Sequence, residues 1–198
     1  MTDNDIKLTF AELECLLGAE PDWPEVRKML GFPESDLDAF KRAGVASLIA
    51  RGYAEMRDGQ LVGSEALVQL AHRLVDTKTA VSLVTVHEHD VGVALFLEAP
   101  AGERTVVSLF AKDVMSLVPF VNDMSCTDQI MGLVDAAMAV DGALTVAVPA
   151  MPPLVVQRQD GVWSTADVVP GAAGPNFKEM SQGEAMAQIR QLLDSVAW

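Results

Sequence analysis

Residues 87–90 read His87-Glu88-His89-Asp90 and hold two of the three histidines of the chain beside two carboxylates. An H-x-H pair on a strand puts both imidazoles on one face, where they could ligate zinc or another first-row metal. A catalytic zinc site uses three protein ligands. The remaining histidine, His72, falls inside the helical stretch LAHRL, so the third ligand would have to be an unidentified carboxylate. The apolar pattern offers a simpler reading. It stops at Val86 and resumes at Val91, which makes the polar residues between them the tip of a β-hairpin, with the turn at His89-Asp90. The segment is expected to be a hairpin end, with no metal bound; an enzyme with a metal site at His87 and His89 stands as an alternative.

Other chemistry is missing from the sequence. It contains no G-x-S-x-G, no phosphate-binding P-loop and no G-x-G-x-x-G after a strand. Asp36 and Asp38 are two residues apart, a spacing that does not bring side chains together on a helix. Cys15 and Cys126 have no Cys or His at ligand spacing, and are expected to be reduced thiols. No catalytic residue, metal ligand or cofactor is assigned, and the expectation is a protein that is not an enzyme.

Charge narrows the partners. The net charge is −14, and the acidic excess is spread along the chain: 8 basic against 14 acidic side chains in residues 1–76, and 6 against 14 in 77–198. Such a field repels phosphate backbones and anionic membranes and favours basic or neutral proteins. Neither nucleic acid nor a membrane is expected as a partner. The start, MTDNDIKLTF, has no apolar core of a signal peptide, and no apolar run approaches the ~20 residues of a membrane span, so a cytoplasmic protein is expected.

Elements able to position a site follow from periodicity. Thr9 and Glu12 make a capping-box pattern before Phe10, Leu13 and Leu17, and Gly18 can end that helix. A short helix follows over WPEVRKML. A third carries Leu37, Phe40, Val45, Leu48 and Ile49 and stops at Gly52. Two short strands flank Asp58-Gly59, a pair that favours a tight primed turn. Ser64 caps a fourth helix.

From residue 79 the period changes. TAVSLVTVHEH, VGVALFLEA and RTVVSLFA read as strands, then DVMSLV as a short helix limited by Pro119. A helix over TDQIMGLVDAAMAV carries Ile130, Val134, Ala137 and Met138 on one face. Strands LTVAVPA, LVVQRQ and VWST come next, the last two joined by Asp160-Gly161. PGAAGPN forms the longest loop, and Ser181 with Glu184 opens the C-terminal helix.

The order helix, three strands, helix thus occurs twice, from 64 to about 122 and from about 127 to 197, which would fit two halves related by a pseudo-twofold. The expected fold is α+β. A helical, winged-helix-like segment (1–76) precedes a mostly antiparallel sheet with flanking helices (77–198), packed with it as one unit. The winged-helix likeness lies in VASLIARGYAEMRDGQLV, a helix ending in L-x-x-R-G and then a D-G hairpin. It makes a winged-helix transcriptional regulator the main alternative function. Residues 1–76 are net acidic, however, and the helix offers only Lys41, Arg42 and Arg51 to phosphates.

TFAELECLLG, LIARGYAEMRDGQLVGSEALVQLAHRL, AVSLVTVHEHDVGVALFLEA and DVMSLVPFV occur in an order that resembles the EspG-like chaperones of type VII secretion. The resemblance covers residues 9–122 by these stretches and the remainder by topology. It implies a non-enzymatic, cytoplasmic binder that holds a helical secretion substrate before export, with two halves around a central sheet. The chain is shorter than typical members, and no family residue is carried over. A chaperone must present an apolar patch to its partner. The expected patch is Met151, Pro152, Pro153 and Leu154, where consecutive prolines exclude a central strand, together with Trp198 at the end of the last helix.

Overall fold

The computed structural model describes residues 6–21, 23–29, 32, 34–74, 78–88, 90–99, 102–111, 114–119, 124–168 and 175–196. The elements are β1 (Ile6–Thr9), α1 (Phe10–Leu17), α2 (Trp23–Met29), α3 (Leu37–Ala50), β2 (Ala54–Arg57), β3 (Gln60–Gly63), α4 (Glu65–Leu74), β4 (Lys78–His87), β5 (Asp90–Glu98), β6 (Arg104–Ala111), β7 (Val114–Pro119), α5 (Cys126–Ala137), β8 (Gly142–Ala147), β9 (Leu154–Gln159), β10 (Val162–Asp167), β11 (Lys178–Met180) and α6 (Gln182–Asp194). Nine strands form one sheet in the order β1-β7-β6-β5-β4-β8-β9-β10-β11, and β2 and β3 form a separate hairpin. The fold is α+β, with antiparallel pairing wherever the register is described.

In sheet order the chain steps from β4 through β5 and β6 to β7, and from β8 through β9 and β10 to β11. Each run follows a helix, α4 or α5. The repeated unit is therefore a helix and four strands. Residues 113–118 are expected from sequence to be helical, and the structure corrects this: Val114–Pro119 is β7, paired with β1 on one side and β6 on the other. Met115, Ser116 and Leu117 are all buried, as suits a strand held between two neighbours. A short apolar run does not separate such a strand from a buried helix. β1 and β11 are not anticipated by the sequence pattern at all.

The chain divides into two compact units, residues 1–78 with 97–119, and residues 79–96 with 120–198. In the first, α1 packs against α3. The capping box at Thr9 and Glu12 is formed, with Thr9 N–H donating to Glu12 Oε2 at 2.7 Å. Glu12 is fully buried, and its carboxylate also accepts from Ser47 Oγ (2.7 Å) and Arg51 Nη1 (2.6 Å). Arg51 Nη2 donates to the Lys7 carbonyl at 2.8 Å, and its guanidinium lies over the Tyr53 ring. Glu14, also buried, accepts from Trp23 Nε1 at 2.7 Å and pairs with Arg27. The α1–α3 contact is close because residue 44 is glycine: a Cβ there would overlap the Ala11 carbonyl. Ile49, expected on the apolar stripe of α3, is instead 38% exposed, since the buried face runs through Gly44 and Leu48.

In the second unit α6 packs on β10 and against α5. Arg190 pairs with Asp128 at 2.9 Å, and Thr127 Oγ1 donates to Asp194 at 3.0 Å. Ile130, Val134, Leu144, Val146, Val156, Ile189 and Leu193 are completely buried. The β9–β10 turn has positive φ at Asp160 and Gly161, as the D-G pair requires. Arg158 of β9 donates to the carbonyls of Met138 and Ala139 at the end of α5, satisfying groups that a helix C-terminus leaves unpaired.

Candidate binding groove

The His-Glu-His-Asp segment is a hairpin end. β4 stops at His87, Glu88 turns with φ 44°, and β5 begins at Asp90, one residue earlier than the expected turn position allows. His87 Nδ1 lies 3.1 Å from the Asp141 carbonyl, and its ring covers Gly142, where any Cβ would strike it. His89 lies outside the described residues. Among the described residues no three His, Cys, Asp or Glu side chains come together to hold a metal. Cys15 is partly buried in α1, and burial pushes its thiol above the ordinary range while Lys41 acts in the opposite direction. Cys126 is buried at the start of α5.

The Met151–Leu154 segment is where the surface opens. A groove of about 550 Å³ is lined by Met151, Pro152 and Leu154 on one side and by Gln188, Gln191, Leu192 and Ser195 of α6 and its C-cap on the other. Leu154 and Leu192 are 7% and 9% exposed and form its floor, whereas Met151 is 48% exposed and stands at its edge. Leu154 itself belongs to β9, paired with Val146 of β8 and Asp167 of β10. The expectation of an exposed edge or loop therefore holds for Met151 to Pro153 and is corrected for Leu154. The prolines end at residue 153, so they remove no hydrogen bond from that inner strand. Trp198 lies outside the described residues.

Backbone chemistry fixes the first wall. Val148, Pro149, Ala150 and Met151 make a turn closed by Met151 N–H donating to the Val148 carbonyl at 3.4 Å. Pro149 at the second position and φ 62° at Ala150 are the pattern of a type II turn. Alanine at positive φ is strained, and glycine is the usual residue there. Pro152 and Pro153 then hold φ near −65°, and the Pro153 carbonyl accepts from Val168 N–H at 3.0 Å. The second wall is the α6 face at 188, 191, 192 and 195, spaced as one helical surface. Gln188 Oε1 accepts from the buried Thr165 hydroxyl at 3.0 Å, which anchors that side chain to β10.

The α6 wall is rigid at its other end as well. Ser181 and Glu184 form the expected capping box, with Ser181 N–H and Oγ both donating to Glu184 Oε2. These bonds hold the Glu184 carboxyl below the usual range. Bonds from Ser125 and then Arg190 do the same for Asp128 of α5. Sequence reasoning names Met151, Pro152, Pro153, Leu154 and Trp198 for this surface; Met151, Pro152 and Leu154 line it, Pro153 does not, and the α6 half is missed. The only signal for that half is a polar stripe of Gln188, Gln191 and Ser195 beside Leu192, which resembles any solvated helix face. Among the described residues that line the groove, the polar groups are the Gln188 and Gln191 amides and the Ser195 hydroxyl, which can make hydrogen bonds beside the apolar floor. No protein-family model matches the chain, and no curated protein matches it.

Proposed function

We propose that this chain is a non-enzymatic cytoplasmic protein-binding module that uses the Met151–Leu192 groove to hold a segment of a partner protein. The observation that carries the reading is a pre-shaped apolar groove. Its floor is Leu154 and Leu192, its rim holds an exposed methionine, and one wall is stiffened by three prolines within five residues. Rigid walls lower the ordering cost of binding, and methionine adapts to varied apolar side chains. The order of elements that resembles the EspG-like secretion chaperones supports the same class, with a helical segment held before export.

Affinity purification from the source cell tests this, with wild type compared with Met151→Asp and Gln191→Arg. Both positions are exposed, so folding, checked by circular dichroism, should survive. A partner held by wild type and lost by both folded variants is the expected result. The same partner retained by both would overturn the reading.

A further inference from the structure

The charge around the groove says what kind of segment it takes. α6 presents its C-terminal half there: Gln188, Gln191, Leu192 and the C-cap Ser195. A helix C-terminus carries partial negative charge, which proteins commonly offset with a lysine or arginine in the last turn. The last turn of α6 has no basic residue, and its Asp194 is turned to Thr127 of α5 rather than into the groove.

Nor does the rest of the unit supply a cation. Residues 79–96 and 120–198 contain 3 basic side chains against 11 acidic ones. Each of the three has other work. Arg158 caps α5 and pairs with Asp141, and Arg190 pairs with Asp128. Lys178 acts on Glu184 at the opposite end of α6, roughly 16 Å along the helix axis from residue 195. Arg190 is also two positions from both Gln188 and Leu192, about 200° around the helix, and so leaves the groove face.

We propose that the groove takes an apolar side chain from a protein segment that carries a lysine or arginine within about one helical turn of it. This rests on the protein-binding reading above and adds the partner's charge. The apolar side chain covers Leu154 and Leu192 and packs on Met151. The cation meets the carbonyl end of α6 beside Ser195. An acidic segment would fit the same apolar floor but meet repulsion at that end.

The test is fluorescence polarisation with three labelled peptides: a helix-forming Leu/Ala/Lys peptide, its copy with Glu for every Lys, and its copy with Ser for every Leu. The Leu/Lys peptide should bind wild type at least about tenfold more tightly than either copy. Ser195→Lys and Met151→Ser should each weaken it about fivefold, whereas Gln60→Lys, an exposed charge-matched change on β3, should leave it unaltered. Equal weakening by Gln60→Lys and Ser195→Lys would mean that the general acidic field acts, and would overturn the proposal. Tight binding of the Glu peptide that is lost in Met151→Ser would also overturn it, while leaving the groove as a protein-binding site. If Met151→Ser changes binding of neither peptide, the groove reading itself falls.

Discussion

Arg51 of the L-x-x-R-G helix end reaches back to α1 and donates to the fully buried Glu12 carboxylate at 2.6 Å. Truncating one partner of such a pair leaves a charge in a poorly solvated place. Arg51 is 36% exposed, so water offsets part of the loss. Arg51→Ala should destabilise the protein by about 2 kcal/mol, read from the midpoint of chemical denaturation. A change within experimental error would show that Ser47 and the Thr9 amide are sufficient partners for Glu12.

The same contact bears on the regulator alternative. Arg51 would be the natural phosphate contact of a winged helix, yet it is engaged by Glu12, the Lys7 carbonyl and the Tyr53 ring. A specific DNA-binding protein reaches roughly 10⁻⁸ M or better at physiological salt. Polarisation titrations with duplex genomic fragments should show no such binding. Nanomolar affinity that collapses with added salt would restore the regulator.

Gly44→Ala should be among the most damaging small changes in the chain. The added methyl would overlap the Ala11 carbonyl and come within 2.8 Å of the Cys15 Cβ, and a helix backbone cannot move as a flexible side chain can. Overpacking of this kind costs about 3 kcal/mol, enough to be seen as a large fall in denaturation midpoint.

Ala150→Gly should stabilise. It relieves the positive φ of the turn beside Met151, and the gain of about 1–2 kcal/mol is partly offset by the freedom glycine adds to the unfolded chain. A net gain of about 0.5–1 kcal/mol corresponds to a Tm rise of roughly 2 °C for a chain of this size. Ala150→Val should lower Tm instead.

Acid should weaken the α6 N-terminus in a predictable direction. The folded Glu184 carboxyl is held down first by the Ser181 amide and then by the Ser181 hydroxyl. Its contribution is therefore present above the unfolded value of about 4.3 and is lost as pH falls through the lower folded value. Asp128 follows the same rule through Ser125 and Arg190. Glu184→Gln should flatten the stability–pH profile below about pH 4.3 relative to wild type. An unchanged profile would show that the capping box does not titrate with folding.

What could be read before the structure was known follows from locality. Asp58-Gly59, Asp160-Gly161 and both capping boxes depend on residues within three positions of each other, and all form as the sequence indicates. The sequence of β7 reads as a helix because its identity as a strand depends on β1, whose partners lie about a hundred residues away. The buried roles of Glu12 and Glu14 were invisible for the same reason, since each needs an arginine or tryptophan from another helix. Half of the groove was legible, because consecutive prolines announce a loop from composition alone. Its other half is made by packing α6 against the end of β9, and no local pattern encodes that.

The ends of the sheet have a consequence for colloidal behaviour. β1 and β11 are the terminal strands. A bare edge can template a further chain and seed polymer growth. At β1, the Arg51 guanidinium already occupies the Lys7 carbonyl. At β11, the strand is three residues long and offers Lys178 and Glu179. An incoming strand would meet an occupied acceptor at one end and a short, charged rung at the other. Both described edges are thereby poor templates for edge-to-edge stacking of copies of the chain.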